Sequence, residues 1–160
     1  MEPTAYFELN FKPNIALVTV VRRFVSEFYQ RFLSDPDGTS RLALATHELL
    51  ENAVRYSKDG ESTIRIDVED GKPKTVRIVL RNRATQPNIG AIREILDGVA
   101  AAPDPTTFYQ QLMVKRAGHR SGSGLGLARI CAEGEMALTY TVEDNDLVTI
   151  SAVTSIGERS

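Results

Sequence analysis

The most informative stretch of this chain is residues 47–53, His47-Glu48-Leu49-Leu50-Glu51-Asn52-Ala53. Apolar residues at helical spacing on both sides predict a helix from about Thr39 to Tyr56. Glu48 and Asn52 are four residues apart, so their side chains project from one face of this helix, one turn apart. An amide oxygen can ligate a divalent cation, and a carboxylate can accept a proton. The pair therefore indicates a metal-assisted site; the alternative is that both residues belong to the solvated side of an amphipathic helix.

A second informative stretch is the glycine-rich loop Ser121-Gly122-Ser123-Gly124-Leu125-Gly126, which leads into an apolar helical segment from Leu127 to Ala132. Such a loop exposes several backbone N–H groups, and the helix N-terminus adds partial positive charge. Glycines also allow a ligand to approach the backbone closely, because they have no Cβ. The loop is suited to binding the phosphates of a nucleotide, and the alternative is a connector whose glycines serve turn geometry alone.

The patterns outside these stretches predict the element order β-α-α-β-β-α-(α)-loop-α-β-β. The runs Asp35-Pro36-Asp37-Gly38 and Ser57-Lys58-Asp59-Gly60 are predicted to end the first and second helices, and Asp70-Gly71-Lys72-Pro73 to turn a strand hairpin. Strands joined by hairpins, with helices between them, favour an α+β fold. We expect a two-layer sandwich in a single domain over residues 1–160, with a mixed, mostly antiparallel sheet of about five strands and helices on one face.

Composition narrows the functional classes. The chain has 160 residues, enough for one domain with a full apolar core, and its formal net charge of −2 gives no electrostatic case for general nucleic-acid binding. No apolar run is long enough to span a bilayer, and the first residues lack the pattern of a secretory signal. Cys131 is the single cysteine, which excludes an internal disulfide and a cysteine-rich zinc site. We therefore expect a cytoplasmic protein.

Residues 47–53 resemble the N-box of the GHKL superfamily, the ATPases of gyrase, heat-shock chaperones, histidine kinases and mismatch-repair proteins. Ser123-Gly124-Leu125-Gly126-Leu127 resembles the later glycine box of the same superfamily, which closes the lid over ATP. The predicted element order also matches its Bergerat-type ATP-binding fold, so the resemblance covers nearly the whole chain. Within the superfamily, the small size and single domain are most similar to the anti-sigma-factor serine/threonine kinases.

This resemblance implies that ATP and Mg²⁺ are the cofactors. Asn52 would ligate the Mg²⁺ that bridges the phosphates, and Glu48 would be the general base that activates the attacking hydroxyl or water. The backbone amides that would wrap the phosphates belong to Gly122, Ser123, Gly124, Leu125 and Gly126. Positioning and charge neutralisation are most of what phosphoryl transfer requires. The corresponding lid contains four basic residues, Lys115, Arg116, His119 and Arg120. One interpretation is that one of them contacts a phosphate, and the alternative is that all four are solvated loop residues.

One motif of the superfamily is missing. An Asp-x-Gly-x-Gly box follows its third strand, and the Asp accepts a hydrogen bond from the adenine amino group. Here residues 80–90 read Leu-Arg-Asn-Arg-Ala-Thr-Gln-Pro-Asn-Ile-Gly. Asn82 offers an amide oxygen to the adenine amino group but lacks the charge of Asp, while Arg81 and Arg83 add positive charge. Since a neutral hydrogen bond contributes about 1 kcal/mol and a charged one more, we expect adenine binding to be weakened about tenfold or more.

Two functions follow from these motifs. The first is an ATP-dependent regulatory kinase of the anti-sigma type, which passes the γ-phosphoryl group to Ser or Thr of a small partner protein in a bacterial partner-switching pathway. The second is a catalytically degenerate module of the same fold that regulates a partner by docking alone. A detached catalytic domain serving a histidine-containing partner is a third possibility. The implied partners are a small anti-sigma-antagonist-like protein, a sigma factor and a second copy of the chain, without nucleic acid or membrane.

Overall fold

The computed structural model describes residues 3–116 and 125–157. Five strands and five helices follow one another in these ranges. Their bounds in chain order are β1 Ala5–Phe11, α1 Ile15–Phe32, α2 Pro36–Tyr56, β2 Ser57–Glu69, β3 Lys74–Ala84, α3 Gln86–Ala101, α4 Pro105–Lys115, α5 Leu125–Ala132, β4 Ala137–Val142 and β5 Leu147–Ile156. The predicted order of elements is confirmed. None of the helices in the described ranges is long and apolar enough to cross a membrane.

The strands form one sheet in the order β1-β2-β3-β5-β4. Every pairing within it is antiparallel, so the described sheet is antiparallel throughout rather than mixed. The predicted hairpin at residues 70–73 joins β2 to β3, and a second hairpin joins β4 to β5. Because short hairpins impose antiparallel pairing, the local turns account for two of the four pairings, and the pairings of β1 with β2 and of β3 with β5 depend on longer connections.

Alternation along the central strands separates a buried face from an exposed one. The side chains that line the core from β2, β3 and β5 include Ile64, Ile66, Val68, Val76, Ile78, Leu80, Val148, Ile150 and Ala152. On the opposite face Arg77 and Arg81 of β3 are exposed. α2 packs over β2 and β3, and α3 packs near β4, so the helices cover one face of the sheet as predicted.

The first two helices are fixed to each other by polar and aromatic contacts. The buried Tyr29 hydroxyl of α1 lies 2.8 Å from Thr46 Oγ1 of α2, and Thr46 in turn donates to the Leu42 carbonyl oxygen. Phe7 of β1 packs edge-on against the Phe28 ring of α1, with 5.0 Å between ring centroids. α2, which carries Glu48 and Asn52, is thereby joined to α1, and it also packs on β2 and β3.

One predicted helix boundary is wrong. Asp35 does not end α1, which stops at Phe32, but caps α2: its carboxylate accepts a hydrogen bond from the Gly38 N–H, and Pro36 occupies the first turn. α2 therefore begins three residues earlier than predicted. Its other end is at Tyr56, as predicted. Ser57 then starts β2 directly, and residues 57–60 belong to an irregular strand with a register shift between Ser57 and Ser62.

Candidate functional site

Glu48 faces α5, the helix that follows the glycine-rich stretch. Its Oε1 atom lies 3.3 Å from Arg129 Nη1, and the side chain is only 15% exposed. A Cβ added to Gly126 would come within 2.5 Å of Glu48 Oε2, so any other residue at this position would force the carboxylate to move. The structure thus brings the predicted base together with the described end of the predicted phosphate loop, although 78 positions separate Glu48 from Gly126 in the sequence.

Arg129 joins two carboxylates. Besides Glu48, it contacts Glu133, whose Oε2 accepts a 2.7 Å hydrogen bond from Arg129 Nε. The hydrogen bond to Glu133 is the main cause of a raised pKa of the Arg129 guanidinium. Burial first, and then the charge of Glu133, raise the pKa of the nearby Tyr109 hydroxyl. The three charged groups carry a formal charge of −1, so the cluster favours a cation or a ligand that replaces one of the carboxylates.

Asn52 is 9% exposed, and its Nδ2 atom has no hydrogen-bond partner among the described residues. It shares a cavity with Tyr56, whose hydroxyl is likewise buried and unpartnered in the described part of the chain. The other residues that line this cavity are Asn88, Ala91, Ile92 and Leu127. Buried polar atoms without partners are rare in native proteins, so two of them around one cavity indicate a place where a polar ligand binds.

The cavity itself is small. Its volume of about 10 Å³ for water centres corresponds to roughly one water molecule, whereas ligand pockets measure about 300–1,000 Å³. Leu127 of α5 forms one wall, and Ile92 of α3 forms another. This cavity by itself therefore holds a water molecule or a small polar group and not a nucleotide.

Asn82 lies elsewhere. It is buried on the core side of β3, donates from Nδ2 to the Arg83 carbonyl oxygen at 3.2 Å, and lines an open depression of about 560 Å³ with Gly60 and Thr63. That depression shares no residue with the Asn52 cavity. The contact between Asn82 and adenine stays a prediction.

Neither Asn88 nor Arg129 belongs to a motif that the sequence predicts to be functional. Asn88 is in the first turn of α3, donates to the Tyr56 carbonyl oxygen at 3.5 Å and lines the same cavity as Asn52. The sequence contains a signal for Asn88, since this polar residue lies two positions before Gly90 and shortly after the third strand. Arg129 had a weaker signal, a cation one helical turn after Gly126, which no local pattern connects to Glu48.

Several predicted site residues are only partly located. Leu125 and Gly126 form the first turn of α5, while Gly122, Ser123 and Gly124 lie outside the described residues. Of the predicted lid cations, Lys115 ends α4 and Arg116 follows it, and His119 and Arg120 lie outside the described residues.

The donor set present suits Mg²⁺ with a polyphosphate. Mg²⁺ generally binds one or two protein oxygens and takes its remaining ligands from water and phosphate, so a single amide with a nearby carboxylate is sufficient. Within residues 3–116 and 125–157 there is no group of three or more His, Cys, Asp or Glu side chains that could hold a metal ion by itself. The site therefore fits a metal that arrives with its phosphate ligand.

Comparisons with known proteins found similarity in both sequence and fold. A family model described as the histidine kinase-like ATPase domain matches residues 11–133, which include Glu48, Asn52 and the glycine-rich stretch. A chain in the crystal structure of the SiaB–SiaC complex from Pseudomonas aeruginosa has a similar fold, with a TM-score of 0.65 and 12% sequence identity. The match covers 94% of this chain and 89% of that chain. No curated protein matches the sequence significantly.

Proposed function

We propose, since the chain belongs to the histidine kinase-like ATPase domain family, that it binds ATP with Mg²⁺ and transfers the γ-phosphoryl group to Ser or Thr of a small partner protein. The resemblance to the GHKL superfamily is confirmed by this membership. The observation that carries the proposal is the adjacency of Glu48, on α2, to Gly126, at the start of α5. The kinase would act in the cytoplasm of a bacterium, in a partner-switching pathway.

Each residue has a defined task in this proposal. Asn52 holds Mg²⁺ through its amide oxygen, and Mg²⁺, when bound, neutralises charge that develops on the phosphates. Glu48 accepts the proton of the attacking hydroxyl, since its carboxylate is largely shielded from solvent on the same face of α2. The backbone amides of Leu125 and Gly126, with those of residues 122–124, bind phosphate oxygens at the N-terminus of α5.

Two features bear on the partners. The SiaB–SiaC structure is a complex of two proteins, which supports a small regulatory protein as the substrate here; a sigma factor is the second proposed partner. In addition, Val20 and Phe24 of α1 and Tyr6 of β1 are each more than half exposed, and β1 is an edge strand of the sheet that the described residues form. We propose that this edge joins a second copy of the chain, which light scattering would detect as a dimer and Phe24→Lys would disrupt.

A second candidate function is docking without phosphoryl transfer. It is favoured by the size of the cavity beside Asn52 and by the missing Asp-x-Gly-x-Gly box. A thermal-shift measurement separates the two, because a ligand that binds only the folded state raises the melting temperature. A rise with Mg-ATP, and none with Mg²⁺ alone, supports the kinase; no rise at millimolar Mg-ATP supports docking alone.

The decisive experiment compares three variants on α2. Asn52→Ala should weaken Mg-ATP binding at least tenfold, and Glu48→Gln should spare binding but lower transfer to the partner by 10²–10⁴-fold. The control is Glu51→Gln, which alters a carboxylate that pairs with His47 at 3.1 Å. Its binding and transfer should match those of the wild type. Unchanged transfer in Glu48→Gln would refute the assignment of the base.

A further inference from the structure

The Arg129 side chain forms ion pairs with two carboxylates from different parts of the chain. Glu48 reaches it from α2 at 3.3 Å, and Glu133, just after α5, reaches it at 2.7 Å. The arginine is 40% exposed, and exposed ion pairs contribute only about 0–1 kcal/mol each. The contacts are thus weak enough to be exchanged for a more highly charged anion.

The two carboxylates of this cluster repel the triphosphate that we propose as the ligand. A triphosphate beside Glu48 meets two carboxylates, and Arg129 is the cation in contact with both of them. The planar guanidinium fork matches the oxygens of phosphate as well as those of a carboxylate. A phosphate group can therefore take the place of either acid on Arg129, and it gains more than either because it carries more charge.

The position of Arg129 also indicates which phosphate group it would contact. A general base has to lie within hydrogen-bond reach of the attacking hydroxyl, so a residue bonded to Glu48 lies beside the group that is transferred. Glu48 Oε1 already has Arg129 as a partner. A phosphate that takes Arg129 would therefore also release this oxygen.

We propose that Arg129 is a phosphate-binding residue that Glu48 and Glu133 hold in the empty site, and that it turns to the terminal phosphate of a bound nucleoside triphosphate and so frees Glu48. This inference rests on the proposed function for the identity of the ligand. It adds a gate to that function, since the base becomes available only when a triphosphate is bound. It also assigns a role to Glu133, which would compete with the ligand for Arg129.

Competition has a signature that can be measured by titration calorimetry, without any assay of activity. Arg129→Gln should weaken ATP binding about tenfold or more and ADP binding less than threefold, and Arg129→Lys should restore part of the loss. Glu133→Gln should tighten ATP binding about threefold, because one competitor is gone. In the double variant this gain should disappear. Arg77→Gln, on the exposed face of the sheet, is the control for loss of a positive charge.

The outcomes separate this inference from the proposed function. If ATP binds the wild type but Arg129→Gln binds it equally well, or if the gain from Glu133→Gln persists in the double variant, the role of Arg129 is overturned and the kinase proposal stands. If ATP does not bind but inorganic triphosphate does, and only with Arg129 present, the phosphate site stands and the kinase proposal fails. If neither binds, both are refuted. Should Arg129→Gln fail to fold, Glu133→Gln alone still decides, since tightening supports competition and unchanged affinity contradicts it.

Discussion

Replacing Gly126 with alanine should separate function from stability in this protein. The new Cβ would lie 2.5 Å from Glu48 Oε2, whereas ordinary contacts begin near 3.4 Å, so the carboxylate must retreat by about 0.9 Å. The atom in the way is the end of a flexible side chain, which can rotate. The backbone of α5 can therefore stay in place while the proposed base is displaced.

The expected stability change is small because two terms oppose each other. Alanine is favoured over glycine inside a helix by up to about 1 kcal/mol, which is an upper bound at Gly126 because this residue lies in the first turn of α5. Against this stands the loss of the partly exposed contact between Glu48 and Arg129, which contributes about 0–1 kcal/mol. For a chain of this size, the melting temperature should shift by no more than about 2–4 °C in either direction.

The expected functional change is large. A misplacement of about 1 Å in a catalytic group can lower a rate about 100-fold, so we expect Gly126→Ala to lose transfer to the partner by roughly that factor. Calorimetric melting and a transfer assay on the same preparation measure both quantities. Gly90→Ala, in α3, serves as the stability control, because its new Cβ would meet nothing within 4 Å and should show the helical gain alone.

Two results would refute this reasoning. If Gly126→Ala lowers the melting temperature by much more than 4 °C, Glu48 is not free to move and the steric calculation is wrong. If stability and transfer both match those of the wild type, the contact between Glu48 and Gly126 has no part in function.

Three further predictions concern the scaffold. Tyr29→Phe removes the buried hydrogen bond to Thr46 and should lower the free energy of unfolding by about 1 kcal/mol in urea titrations; no change would show that the bond is not stabilising. Asp35→Ala removes the cap on the Gly38 N–H and should cost a similar amount, whereas Asp35→Asn should retain most of the stability. Burial raises the pKa of the Cys131 thiol from its ordinary value of 9.0 to about 11, so the unfolded chain loses this proton first and stability should fall as the pH rises from about 9 to 11, by at most about 1.4 kcal/mol per pH unit. A Cys131→Ala variant should lack this component, and equal slopes in the two proteins would contradict the assignment.

Local chemistry in the sequence was sufficient for most of the architecture. Period-two alternation identified the strands, and the hairpin at residues 70–73 fixed the pairing of β2 with β3. The helical spacing of residues 42–56 placed Glu48 and Asn52 on one face before any tertiary contact was known. The error was at the start of α2: Asp35 resembles a turn residue and a cap equally, and the choice depends on which of the two neighbouring helices it serves.

Contacts across long stretches of sequence were decided by the tertiary structure alone. Glu48 meets Arg129 across 81 positions, and Asn88 of α3 lines one cavity with Asn52 of α2. Local periodicity predicts neither arrangement, because each depends on how whole helices pack over the sheet and on the distances between them. The amino-acid order thus determined which chemical groups α2 presents, and the packing of α5 against α2 determined which cation and which glycine they face.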